Sequence, residues 1–481
     1  MKNKLINYIF ILFLWLLVFS FYSCDINDFD INQAFNNEEP QTILANIPPD
    51  DPDGKYIYNP ELTLSWYGYD KDGFIKGFKY RWCTLISDKD TLWTDWIFIP
   101  SIDNDGNKIF NSNKKNFVFE SPNDKNFHIF EIAAIDNKGK TDSSPAKLRF
   151  WTKKGPETET ELISFPSDET IVSENTNKYW KGLVFIFNDK NSKYAFKINN
   201  SEWSDYIYND TIILSGKHFP NTGDYTIYFK SRNKYYMEDK SPLEFNINII
   251  KPIRTKELLL IDMTSDGISL PGNPTDEETD SFYKDILRDN NINFDIWDVN
   301  KEGCFPDRLL LSNYKIIFIY SDHNFNTSEN KLFFDDIQKL NEFLFTGGNI
   351  IISCKSINNL FYNNEQAFLF FYELFQIENN FNTIEILKST QLNKINIYPE
   401  LEIEQSKIPF EWYGGLQNIQ TFYPRAFNKS IYFLDSTNKI NTTISLLNTK
   451  VYKAVLSTLP LYYFKYDGVK QLIKIIFENL K

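Results

Sequence analysis

Cysteine and histidine are scarce in this chain: four cysteines and three histidines in 481 residues. Cys24, Cys83, Cys304 and Cys354 lie far apart and form no Cys-x-x-Cys pair. That excludes a disulfide framework and a cysteine-based zinc module, and leaves buried free thiols as the expectation. Neither a P-loop nor a Gly-x-Gly-x-x-Gly turn occurs. The backbone cradles that hold nucleotide phosphates are therefore absent, and no cofactor is expected. There is no dense Lys/Arg block and the net charge is −13, which argues against nucleic acid as a partner.

What is abundant is apolar. Hydrophobic residues make up 42% of the chain, too many for a disordered polymer, and the length suits two to four domains. Phenylalanine is in excess, at 43 residues. Aromatic-rich β-cores account for it, with sugar-stacking surfaces as the alternative.

At the start, Lys2 and Lys4 precede a run from Leu5 to Tyr22 that is apolar apart from Asn7 and Ser20; Ser23-Cys24 and an acidic stretch from Asp25 follow. A charged start, an apolar core and a small residue before the cut describe an export signal. Ser23-Cys24 resembles the lipobox of bacterial lipoproteins, although Phe21 and Tyr22 stand where that family prefers Leu and a small residue. The resemblance implies that residues 1–23 are a signal peptide and that Cys24 is lipidated as the mature N-terminus, anchoring the chain to a membrane of the bacterial cell envelope. The alternative is an uncleaved spanning anchor, because the run nearly reaches the ~20 residues a bilayer needs. Both readings put the remainder outside the cytoplasm. Residues 24–41, polar and without apolar period, read as a tether.

Residues 42–152 read as short alternating strands. Leu62 to Trp66 and Phe74 to Trp82 flank Asp70-Lys71-Asp72-Gly73, a hairpin signal, while Phe127 to Ala134 and Ala146 to Phe150 flank Asp136-Asn137-Lys138-Gly139. Such strands over ~100 residues indicate a β-sandwich. With Trp66, Trp93 and Trp96, these residues resemble bacterial immunoglobulin-like or fibronectin type III modules. Residues 153–252 repeat the logic, with strands at Trp180 to Phe187, Lys193 to Ile198, Tyr225 to Lys230 and Leu243 to Ile250. Asp70/Asp72 and Asp103/Asp105 sit in Asp-x-Asp-Gly turns, but neither continues to the Glu of a calcium loop, so turn chemistry is expected. His128 and His218 are expected as packed or surface residues.

Residues 253–481 change period. Continuous apolar strands at Leu258–Asp262, Asn293–Asp298, Tyr314–His323 and Gly347–Cys354 alternate with helices at Asp280–Arg288, Ser328–Phe345 and Asp467–Leu480. That is the signature of an α/β parallel sheet of flavodoxin-like kind. Ser328 is the expected N-cap of the second helix, with Leu332, Phe333, Ile337, Leu340 and Leu344 on its buried face; residues 382–450 supply edge strands and loops. Ligands in such sheets bind beyond the carboxyl ends of the strands, where Asp262, Asp266, Asp298, Asp322, His323, Cys354 and Ser356 are expected.

The Gly347-Gly348-Asn349-Ile350-Ile351-Ile352-Ser353-Cys354 run and the late Leu459-Pro460-Leu461-Tyr462-Tyr463-Phe464 resemble class I glutamine amidotransferase-like domains. That family carries a Gly-x-Cys-x-Gly elbow and a late His-x-Glu pair. Here the elbow reads Ile352-Ser353-Cys354-Lys355-Ser356, without either glycine, and no histidine follows His323. A thiolate needs a base or an electropositive site, so the family's glutaminase reaction is not expected. The catalytic candidates that remain are Cys354, His323 and Asp322. Asp262 and Asp298, with His323, are the metal candidates.

The reading is a multidomain chain: two all-β sandwiches followed by an α/β domain degenerate in the amidotransferase residues. It is anchored in the cell envelope and acts in binding or surface assembly, with an unknown protein or glycan ligand. The alternatives are a surface hydrolase working through Cys354/His323 or a carboxylate-bound metal, and carbohydrate binding by the sandwiches.

Overall fold

The computed structural model describes residues 37–45, 48–85, 91–322, 331–361, 369–378, 381–435 and 440–481. The export segment, Cys24, most of the tether, His323 and Ser328 lie outside the described residues. No helix among the described residues is long and apolar enough to cross a membrane. The chain divides into two compact units, the first comprising residues up to Glu159 with Ser231–Lys240, the second Thr160–Lys230 with Ser241–Lys481.

In chain order the strands of the first unit are β1 (Gln41–Ala45), β2 (Ile57–Tyr58), β3 (Glu61–Tyr69), β4 (Ile75–Leu85), β5 (Thr91–Trp93), β6 (Ile97–Pro100), β7 (Lys114–Val118), β8 (Lys125–Asp136) and β9 (Ala146–Lys153). They form two sheets, β1-β3-β7 and β2-β9-β8-β4-β5, with β6 paired to β4. Period-two alternation gives each strand one buried face. Leu64 and Trp66 of β3 and Phe117 of β7 meet Phe78 and Tyr80 of β4, Phe130 and Ile132 of β8, and Phe150 of β9 in a single core. The expected hairpin at Asp70–Gly73 is not one: β3 and β4 lie in opposite sheets. Alternation marks which face of a strand is buried, but not which sheet owns the strand, so a corner between sheets looks the same in sequence. The corner is tight, since a Cβ on Gly73 would lie 2.2 Å from Asn137 Oδ1. The Asp136–Gly139 turn does join paired strands, β8 and β9.

The strands of the second sandwich are β10 (Leu162–Ser164), β11 (Glu169–Ile171), β12 (Leu183–Phe187), β13 (Lys193–Ile198), β14 (Thr211–Leu214), β15 (Gly223–Arg232) and β16 (Leu243–Ile250). Its sheets run β10-β12-β14 and β11-β16-β15-β13, which repeats the strand order of the first sandwich without counterparts of β5 and β6. Even the one parallel pairing recurs, β2 with β9 and β11 with β16.

The remaining strands are β17 (Lys256–Asp262), β18 (Phe294–Asp298), β19 (Tyr314–Ser321), β20 (Asn349–Cys354), β21 (Asn382–Leu387), β22 (Asn393–Lys394), β23 (Leu416–Thr421), β24 (Asn428–Leu434), β25 (Asn441–Asn448) and β26 (Lys453–Ser457). Eight of them form one sheet in the order β18-β17-β19-β20-β26-β25-β24-β22. The first five are parallel, and β25, β24 and β22 extend the sheet antiparallel. Successive residues of the inner strands enter opposite cores: Leu258, Leu260, Ile316 and Phe318 one, Leu259, Ile261, Ile317 and Ile319 the other. Helices α1 (Asp276–Asp289) and α3 (Tyr466–Leu480) cover the first face and α2 (Phe334–Phe345) the second. Burial on both faces explains why these strands read as unbroken apolar runs.

α1 begins at a capping box in which Thr275 and Glu278 bond each other's backbone. α2 starts later than expected. Phe333 is its N-cap and 60% exposed, so it is not on the buried face, and the Phe333 N–H donates to Asp336 Oδ2. Acidic residues at the first turn, rather than Ser328, fix the start. Within the second unit, α2 is tied to the sandwich strand β11 by a buried pair. Arg308 donates to Glu342 at 2.9 and 3.2 Å, and Glu342 also accepts the Ile171 N–H at 2.9 Å. Removing one partner of such a pair costs about 3–5 kcal/mol, so this join is held by complementarity as well as by area.

His128 is a packed residue, as expected. It is fully buried between Thr84 Oγ1 at 3.0 Å and Thr152 Oγ1 at 2.7 Å. Burial lowers its pKa from 6.5 to about 3. A base depressed in the folded state contributes stability above its unfolded pKa and loses it as pH falls below that value. We predict that the first unit loses about 2 kcal/mol between about pH 7 and about pH 5 through this residue. A His128→Gln chain, compared by urea unfolding at both pH values, should show a flatter acid limb; an unchanged limb contradicts the assignment.

Candidate functional site

The carboxyl ends of β17, β18, β19 and β20 carry the polar residues that the sequence places there. Asp262 ends β17, Asp298 ends β18, Asp322 follows β19 and Cys354 ends β20. They do not form one constellation.

Cys354 is 1% exposed and lies in an apolar core with Ile352, Ile357 and Leu360. Burial, then the charge of Asp322, pushes its thiol well above the ordinary cysteine range, so the thiolate is disfavoured. His323 lies outside the described residues, and the other two histidines belong to the sandwich strands and loops. Asp322 is fully buried, and its Oδ2 accepts the Tyr283 hydroxyl at 2.6 Å and the Tyr462 N–H at 3.0 Å. It joins α1 to the turn before α3. Burial raises its carboxyl to about 7. Lys355 is 2% exposed, its Nζ has no hydrogen-bond partner, and it sits 4.7 Å over the Trp412 ring. Burial lowers its ammonium to about 7. Ser356 precedes the short helix Ile357–Leu360 and makes no side-chain cap bond.

The acidic side of the sheet is assembled differently. Asp262, Asp276 and Asp298 each offer one carboxylate oxygen, and the three oxygens lie within 4.8 Å of one another. Asp262 and Asp298 were expected candidates; Asp276, the first residue of α1, was not. Its signal was present in the sequence, because the helix after the first strand of a parallel sheet starts beside that strand's carboxyl end. Thr275-Asp276-Glu277-Glu278 nevertheless reads as an ordinary acidic first turn. Asp266, the other expected acid, accepts the Asp276 N–H at 3.2 Å and so holds the start of α1.

Each carboxylate has its own environment. Asp262 is fully buried; its Oδ1 accepts the Thr264 N–H at 2.8 Å and its Oδ2 has no donor. Burial, then the facing Asp276, pushes its carboxyl far above the usual range, and burial raises that of Asp276 too. Burial also acts on Asp298, but hydrogen bonds from Lys301 overcome it and hold that carboxyl low. Asp280 is engaged by the Tyr320 hydroxyl and by Lys284.

Elsewhere the expected sites resolve into structure. Asp103 Oδ1 accepts the Asp105 and Asn107 N–H groups at 3.0 and 2.8 Å, which is turn chemistry. The sandwich tryptophans carry the protein's own cations: Arg81 lies 4.5 Å from Trp93 and 4.6 Å from Trp96, and Lys230 lies 4.7 Å from Trp203. A concavity of about 980 Å³, lined by Arg254, Lys256, Asn293, Lys315 and Lys481, opens at the amino ends of the parallel strands, away from these acids.

No family model matches the sequence, and no curated protein matches it. Among solved structures, the Clostridium thermocellum CbhA fibronectin(III)-like modules match 44% of this chain and 95% of theirs, at 9% identity and a TM-score of 0.18. A bacterial ice-binding adhesin matches 47% of this chain and 73% of its own, at 9% identity and a TM-score of 0.17. A tetra-tandem repeat from the extending region of a large adhesion protein matches 44% and 49%, at 11% identity and 0.16.

One expectation is corrected. Cys83 and Cys354 are buried, but Cys304 is exposed, because it lies in the loop after the short helix Val299–Glu302. A thiol reagent applied to the folded chain, read by peptide mass spectrometry, should modify Cys304 and spare Cys83 and Cys354 until denaturant is added. Labelling of Cys354 as fast as Cys304 would return it to the list of nucleophiles.

Proposed function

We propose that this chain is an exported, lipid-anchored protein that acts by binding or surface assembly, without catalytic turnover. The observation that carries this reading is Cys354, sealed at 1% exposure with its thiol held protonated by burial. The five parallel strands run in the order second, first, third, fourth, fifth along the chain, which is the flavodoxin-like order. That order supports reading residues 253–481 as an amidotransferase-like domain whose elbow has lost both glycines and whose late histidine is missing. The repeated sandwich topology supports reading residues 42–252 as two fibronectin type III-like modules that carry this domain away from the membrane.

The anchor is tested by growing cells with an alkyne fatty acid and comparing the chain with Cys24→Ser. The proposal expects label on the first, none on the second, and movement of the second out of the detergent phase. An unlabelled parent chain ends the lipoprotein reading and leaves a spanning segment as the anchor.

A second reading, glycan binding, is favoured by one surface of the first unit. A groove of about 620 Å³ is lined by Tyr67, Tyr69, Phe74, Asp70, Lys108 and Asn113. Tyr67, Tyr69 and Phe74 are 51%, 58% and 54% exposed, and rings beside polar groups suit sugar faces and hydroxyls. In polysaccharide affinity electrophoresis the chain should be retarded by at least one glycan, and Tyr67→Ala with Phe74→Ala should abolish the retardation. Free migration of the parent chain through a broad glycan panel removes this reading.

A further inference from the structure

We propose that Asp262, Asp276 and Asp298 form a binding site for one hard divalent cation of the magnesium or calcium class. The site is independent of the anchor and of the glycan groove. Three elements converge on it: the end of β17, the first residue of α1 and the end of β18.

Acidic residues often gather at strand ends without a ligand, so the case rests on their unpartnered oxygens. Asp262 is fully buried, and its Oδ2 has no hydrogen-bond donor. Asp276 Oδ1 is also buried without a donor, as is the Thr264 hydroxyl two residues beyond Asp262. A buried acceptor normally finds a partner, and two carboxylate oxygens turned toward each other cannot serve one another while both are ionised. The cations nearby are committed elsewhere. Lys301 pairs with Asp298 and its side chain is 72% exposed, and Lys284 pairs with Asp280. Neither pairs with Asp262 or Asp276.

The dimensions suit an ion. Oxygens on opposite sides of a calcium at about 2.4 Å stand about 4.8 Å apart, and magnesium draws them closer. The three ligand oxygens of this cluster lie within 4.8 Å. An all-carboxylate set with a hydroxyl beside it selects magnesium, calcium or manganese over zinc or copper. The competing occupant is a proton shared between Asp262 and Asp276, which would satisfy the same two oxygens and leave no room for a metal.

The test is isothermal titration of the full folded chain, stripped with chelator, using magnesium, calcium and manganese chlorides in turn, with thermal melting alongside. The proposal expects one saturable site per chain for at least one ion, and a rise in melting temperature on binding. Asp262→Asn and Asp298→Asn should each weaken binding by about tenfold or more and remove the rise. Asp103→Asn, in a sandwich turn, should leave both intact. Without metal, Asp262→Asn should melt no lower than the parent, because the amide keeps the carboxyl's shape and brings no charge into a buried site; this separates lost binding from lost folding. Lys301→Gln should preserve binding or tighten it. The proposal is overturned if no ion saturates at millimolar concentration, or if binding survives in Asp262→Asn and Asp298→Asn.

Discussion

Burial of the parallel sheet on both faces is the constraint on which the second unit depends. Leu258 to Ile261 and Ile316 to Tyr320 send alternate side chains into two separate cores, so nothing polar fits within those strands. Polar side chains are displaced to the strand ends. On the acidic side, Asp262 and Asp298 come to rest beside Asp276 in a space that is dry on the sheet side. The same constraint shapes the join to the second sandwich. Arg308 and Glu342 are 4% and 8% exposed, and the Glu342 carboxylate would be left buried without a cation if Arg308 were removed.

Depth treats the two signs of charge alike. Cys354 keeps its proton, Asp322 is raised to about 7, and Lys355 is lowered to about 7. Each of these groups meets the loss of solvent by moving toward its neutral form. That response suits a folded core and disarms a nucleophile. Asp262 and Asp276 differ because they share one space, so a single proton or a single cation can settle both.

Much of this was legible in sequence because the physical signals were long. The four apolar runs of the α/β domain place β17, β18, β19 and β20 to within a few residues, and the helix expected at Asp280–Arg288 falls within α1. Period-two alternation marked β3, β4, β8 and β9 in the first sandwich and β12, β13, β15 and β16 in the second, but not β1, β2, β5, β6, β7, β10, β11 or β14, which are too short to show a period. The misreadings came where local pattern and tertiary choice part. Asp70–Gly73 looks like a hairpin whether its strands pair or separate. Phe333 looks like a core residue, although acidic residues at the first turn start α2 just after it. Asp276 was passed over, although α1 starts beside the end of β17, because an acid at a helix start has a sufficient local reason to be there. The antiparallel extension by β25, β24 and β22 has short or bulged strands, which carry too little period to be ordered from sequence.

The central claim is that the convergence of Asp262, Asp276 and Asp298 exists to hold a metal, and crystals grown with manganese examine it most directly. Anomalous diffraction should show one peak at about 2.1–2.4 Å from an oxygen of each of the three carboxylates. Density empty at that point, with Asp262 and Asp276 drawn to a short oxygen–oxygen contact, would show that a shared proton fills the role and would contradict the account.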